Sequence, residues 1–140
     1  MASMMIVLNK ESMALVREVD VIPFRNRLKE IAGRIGLSLV NQTKLITAAS
    51  ELARNMLKYA GGGKVDIEVV NKGTENGVRL IFVDEGPGIK DLKLAMRDGY
   101  STGRSLGLGL PGTKRLVSEF EIQSEVGKGT KVTVIKWKNG

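Results

Sequence analysis

The chain has neither cysteine nor histidine among its 140 residues. Their absence excludes thiol nucleophiles, disulfides, thiolate or imidazole metal sites and every acid–base scheme that relies on imidazole. A metal, if bound, has to be a hard cation held by oxygen ligands and phosphates, which points to magnesium. Aromatic residues are scarce (three Phe, two Tyr, one Trp), and no aromatic–basic platform for stacking bases is visible. The net charge of +7 therefore reads as a solvated basic surface suited to nucleotide phosphates or an acidic protein partner, with no nucleic acid expected. No apolar run approaches the roughly 20 residues that cross a bilayer. The N-terminus lacks a charged region followed by a long apolar core, so no signal peptide or membrane association is expected and the reading is cytoplasmic.

What is present centres on Asp84-Glu85-Gly86-Pro87-Gly88-Ile89, directly after the apolar run Val78–Val83. A β-type run that ends in one carboxylate and then two glycines around a proline suits a ligand. Glycine lets backbone approach closely, proline stiffens the turn, and Asp84 sits just beyond the strand. Crevices outside the carboxyl ends of strands are where open α/β sheets bind ligands. A tight surface turn with an acidic entry residue is the plainer alternative.

At this length the chain reads as one domain with a core of its own. Two apolar stretches, Met4–Leu8 and Met13–Val19, flank Asn9-Lys10-Glu11; the second is the better candidate for a first strand, and residues 1–12 read as an extension or an added strand. From Asp20 the period becomes helical. Phe24, Leu28, Ile31 and Ile35 share a face, with Asp20 as expected N-cap, Pro23 in the first turn and Gly36 as the stop. A second helix is predicted from Ser38 or Asn41 to Ala60, closed by Gly61-Gly62-Gly63, with Leu45, Ala48 or Ala49, Leu52, Met56 and Tyr59 as its stripe. Glu51 and Asn55, four apart, project beside that stripe. Such residues usually form a solvated face, but Asn is a poor helix former, and a carboxylate with an amide oxygen one turn away could position a nucleophile and a magnesium ion. Val65, Ile67 and Val69 alternate, Asn71–Gly77 is polar and Val78–Val83 apolar, a hairpin with a long loop. Asp91–Arg97 reads as a short helical piece, Asp98–Gly109 as a mobile lid, Pro111 to about Glu119 as a helix, and Glu121–Val126 with Thr130–Trp137 as a final hairpin.

Gly107-Leu108-Gly109-Leu110-Pro111-Gly112 matches G-x-G-x-x-G, but no apolar strand precedes it, so the dinucleotide fingerprint does not apply. A P-loop and the H-R-D and D-F-G kinase motifs are absent. What stands is a glycine-rich segment feeding a helix N-terminus, suited to phosphate binding through backbone N–H groups. Glu51-Leu-Ala-Arg-Asn55, Asp84-x-Gly86-x-Gly88, Gly107-x-Gly109 and Gly129-Thr130 occur in one order. That order resembles the N, G1 and G2 boxes and closing Gly-Thr of the GHKL (Bergerat-fold) ATP-binding superfamily. Tyr59-Ala60-Gly61, Asp98-Gly99-Tyr100-Ser101-Thr102 and Lys114-Arg115-Leu116 make the chain most similar to bacterial anti-sigma and switch-protein serine/threonine kinases, the stressosome switch kinases above all.

The resemblance spans residues from about 13 to 137 and implies a single GHKL domain over 13–140, with a lid at about 91–110. It implies a two-layer α/β sandwich, helices on one face of a mixed β-sheet. By position, Asp84 would accept from the adenine amino group. Gly86 belongs to the same box, Gly88 would leave room for the base, and Thr130 would complete the adenine pocket. Asn55 would bind magnesium and Glu51 would serve as general base. The amides of Gly107, Leu108, Gly109 and Leu110 would cradle the phosphates of ATP, with Arg104, Arg54 or Lys58 as candidates for neutralising their charge. The implied substrates are STAS-domain switch or scaffold proteins of a partner-switching stress pathway, and the implied downstream target is an output enzyme such as a phosphatase. An ATP-gated binding module without phosphotransfer is the alternative. A histidine-kinase catalytic domain could act here only in trans, and a DNA-clamp ATPase needs more chain than this.

Overall fold

The computed structural model describes residues 4–97 and 109–140. The lid reading, apart from its flanks, lies outside the described residues. The elements run β1 (Met5–Leu15), a 3-10 turn (Glu18–Asp20), α1 (Val21–Arg34), α2 (Leu39–Ala60), β2 (Gly63–Lys72), β3 (Glu75–Asp84), α3 (Leu92–Ala95), α4 (Gly109–Leu116), β4 (Glu119–Glu125) and β5 (Gly129–Trp137). The strands form one sheet in the order β1-β2-β3-β5-β4. Each described pairing is antiparallel. The sheet is thus antiparallel and not mixed: β2–β3 and β4–β5 are hairpins, β1 runs antiparallel to β2 across the intervening α1 and α2, and β3 pairs with β5 from the opposite direction.

Strand alternation sorts the side chains. Leu15, Val65, Ile67, Val78, Leu80, Phe82, Val132 and Val134 face the helices and form one core with Phe24, Leu28 and Ile31 of α1 and Leu45, Ala49, Leu52 and Met56 of α2. Phe24 meets Phe82 edge to face, ring centroids 5.9 Å apart. The layers are therefore two, helix over sheet, as the periodicities require. On the other face, polar residues of β1, β2 and β3 pair across strands: Asp66 takes Ser12 and Lys10 of β1, and Glu68 takes Arg79. Among the described residues no helix is long and apolar enough to cross a membrane.

Three local expectations change. The first strand starts at Met5 and ends at Leu15, so Asn9-Lys10-Glu11 lies within it and Val16–Val19 outside; a bulge between Val7 and Asn9 shifts its register. The β2–β3 loop shrinks to Gly73-Thr74, since Lys72 stands opposite Glu75 and Asn71 donates to Asn76 at 2.8 Å. Asp20 precedes α1 but turns backward, accepting from Val16 and Arg17 N–H at 3.0 and 2.9 Å. Ser38 does cap α2, accepting from Asn41 N–H at 3.1 Å, and Gly61 ends it in the left-handed conformation (φ 74°).

Glu11 links β1 to α1, accepting from Arg27 Nε at 2.7 Å. The Arg27 hydrogen bonds hold its carboxyl below the ordinary value, against a partial opposing effect of burial. A depressed folded-state pKa contributes stability above the unfolded-state value, lost as pH falls through the folded-state value. Glu11→Gln is therefore expected to melt below the unaltered protein at pH 7, and the gap should close as the acid range is entered. Thermal melts across pH check this; a gap independent of pH would mean the loss is one of packing.

Candidate functional site

The register of the last three strands builds the floor of a site. Asp84 stands opposite Thr130, and Thr130 opposite Ser124, so the three form one polar row on the helix face. Two residues inward, Phe82, Val132 and Ile122 form the parallel apolar row. Above them α2 presents Glu51, Leu52, Asn55, Met56 and Tyr59, which recur as one helical stripe. Gly109 and Leu110, at the N-terminal turn of α4, and the Pro87–Asp91 loop with Leu94 and Ala95 complete a cavity of about 650 Å³. This size and composition, apolar with a few convergent polar groups, suit a nucleotide-sized ligand.

Asp84 is fixed by its surroundings. Its Oδ1 accepts from Gly86 N–H at 2.9 Å and Thr130 N–H at 3.2 Å, while among the described residues Oδ2 takes no hydrogen bond. The loop after it is tied to the last hairpin: Gly127 N–H donates to the Pro87 carbonyl at 2.9 Å, and Ile89 N–H to Ser124 Oγ at 2.7 Å. Gly88 has φ 77°, and a Cβ there would collide with the Glu125 carbonyl. Gly86 packs against Ala60 of α2, where a Cβ would overlap the alanine methyl. Both glycines thus set the approach of loop to hairpin and loop to helix.

Of the residues singled out from sequence, Glu51, Asn55, Asp84, Gly88, Gly109, Leu110 and Thr130 line this one cavity. Glu51 is only 8% exposed. Gly86 and Lys58 do not line it; the Lys58 ammonium lies over the Tyr59 ring, 5.1 Å from its centroid. Exposed Arg54 also stays outside the lining. Arg104, Gly107 and Leu108 lie outside the described residues.

Sequence reasoning missed Lys90, the single basic side chain among the described lining residues, although it follows the glycine turn directly. It also missed Ser124, whose only signal was its cross-strand place beside Thr130. The lining carries the carboxylates of Glu51, Asp84 and Asp91 against that one ammonium. Among the described residues no group of three or more acidic side chains could hold a metal alone. A cation there would need further oxygens from a bound ligand, a mode magnesium favours.

Comparison with known proteins bears on family and fold. Residues 33–139 match the family described as histidine kinase-, DNA gyrase B- and HSP90-like ATPase. The serine/threonine-protein kinase RsbT of Bacillus subtilis is 43% identical over 88% of this chain and 92% of its own length. An anti-sigma F factor of Caldanaerobacter subterraneus is 30% identical over 65% of this chain and 66% of its own. In structure, the chain is similar to the RsbU and RsbW domains of a Mycobacterium tuberculosis protein, with TM-score 0.65, 21% identity, and coverage of 91% of this chain and 32% of that one. That likeness bears on the fold alone.

Proposed function

The chain belongs to the histidine kinase-, DNA gyrase B- and HSP90-like ATPase family, and on that premise we propose how it works as an ATP-dependent serine/threonine protein kinase. The observation that carries the reading is a single cavity with an acceptor row, Asp84 and Thr130, at its floor and Glu51 and Asn55 on the helix above. Adenine lies on Phe82, Val132 and Ile122 with its amine at Asp84 Oδ2. The triphosphate runs toward Asn55 and the N-terminal turn of α4, whose backbone N–H groups face an anion.

Asn55 would hold magnesium together with the phosphates, and the ion would supply charge neutralisation of the transferring group. The residues fit it, since the lining by itself is acidic and would repel a polyphosphate. Glu51 accepts the proton of the partner's serine or threonine hydroxyl. That oxygen forms its bond to the γ-phosphorus as the bond from phosphorus to the bridging oxygen of ADP breaks. Positioning and electrostatics account for most of the acceleration in such a transfer.

The substrates are STAS-domain switch or scaffold proteins of a stressosome-type pathway in the cytoplasm. Once its substrate is phosphorylated, the kinase is released to bind and activate an output enzyme such as a phosphatase. The kinship with a serine/threonine-protein kinase and with anti-sigma F factors supports this exchange of partners.

Intact-mass spectrometry of STAS-domain proteins encoded beside this gene, incubated with the kinase and Mg·ATP, tests the reading. One or two added phosphates are expected, and none with Glu51→Ala. Tight nucleotide and partner binding without added mass would favour an ATP-gated binding module instead.

A further inference from the structure

Ser124 does not line the cavity, yet its hydroxyl stands at the junction of everything that shapes the floor. Ile89 N–H donates to it at 2.7 Å, the Thr130 hydroxyl lies 2.8 Å away and the Gly129 carbonyl 3.1 Å away. A serine hydroxyl has one proton and two lone pairs. The Gly129 oxygen can only accept, so it takes the Ser124 proton. The Ile89 amide can only donate, so it takes one lone pair. The remaining lone pair is satisfied when Thr130 turns its own proton toward Ser124. All three capacities of Ser124 are then filled.

We propose that Ser124 is a positioning residue for base selection: by holding the Thr130 proton it leaves Thr130 Oγ1 facing the cavity as an acceptor only. Asp84 Oδ2 is an acceptor as well, so the two ligand-facing atoms of the polar row ask for an amine and oppose a carbonyl oxygen. A 6-amino group carries two N–H donors, one for each acceptor; a 6-oxo purine turns its O6 lone pairs toward them and offers a donor only at N1. Without Ser124 the Thr130 hydroxyl can rotate and donate, and part of the opposition to a 6-oxo base disappears. The inference rests on the nucleotide reading above and assigns that site's choice of base.

Titration calorimetry of the full chain with ATP and inosine triphosphate tests it, because these nucleotides differ only at the base edge. The unaltered protein should prefer ATP on the order of 100-fold. In Ser124→Ala both nucleotides weaken through the lost Ile89 anchor, but the preference itself should drop about tenfold. Ser124→Thr, which keeps a hydroxyl, should restore it. Ser124→Cys, close in volume and a poor hydrogen-bonding group, should behave as Ser124→Ala does and serves if the alanine variant does not fold. In a Thr130→Val background, with no proton to orient, Ser124→Ala should leave the preference unchanged. Parallel weakening of both nucleotides with an unchanged preference would overturn the role of Ser124 while leaving the nucleotide site standing. Failure of the unaltered protein to bind either nucleotide would overturn the site, and this inference with it.

Discussion

Asp84→Asn is expected to lower ATP affinity by about 100-fold or more while leaving the unliganded protein folded and close to its original melting temperature. The separation follows from the two oxygens of Asp84 having different work. Oδ1 receives Gly86 and Thr130 N–H, and an asparagine oxygen can keep both bonds. Oδ2 takes neither of these bonds in a residue that lines the cavity, and in asparagine its place is taken by an NH₂ group. A charged acceptor becomes a neutral donor opposite the donor amine of adenine. The loss combines a charge-assisted hydrogen bond with an unsatisfied amine, together about 3 kcal/mol. Calorimetry with ATP, beside thermal melts without it, measures both halves. An affinity change below about fivefold would place the amine elsewhere; a collapse in melting temperature would mean Asp84 matters mainly to the turn.

How far such a site is legible in sequence depends on how local its causes are. The α2 stripe, a start at Ser38 or Asn41 and the Gly61 stop were readable because helix period and caps are short-range signals. The Asp84–Gly88 turn was readable because glycines on either side of a proline after an apolar run have few other uses. Strand β1 was misplaced because its polar centre, Asn9-Lys10-Glu11, breaks the apolar pattern. Its partners come from far along the chain: Lys10 meets Asp66 at 3.6 Å and Glu11 meets Arg27. The antiparallel sense of the whole sheet was likewise a non-local fact. So was Ser124, an ordinary strand serine until pairing sets it beside Thr130. Lys58 shows the opposite limit: it lies one turn from Asn55 on the same helix but does not line the cavity.

Glu51→Gln should reduce phosphoryl transfer by a factor of about 10² to 10⁴, the usual contribution of a positioned general base. Gln matches Glu in size, so a side chain only 8% exposed is replaced without opening a void. The informative part is the accompanying change in nucleotide affinity. Glu51 shares its cavity with Asp84 and Asp91 and with the expected path of the triphosphate, and like charges confined in a poorly solvated space repel. Removing one carboxylate should leave Mg·ATP binding as tight as before or tighter, even as turnover falls. Single-turnover phosphorylation of the partner and calorimetry with Mg·ATP read the two quantities separately. A fall in both would assign Glu51 to holding the metal–phosphate group, since loss of a ligand weakens binding and chemistry together. A fall in neither would remove Glu51 from the reaction and leave Asn55 and the N-terminal turn of α4 to position the phosphates for a hydroxyl that loses its proton to water.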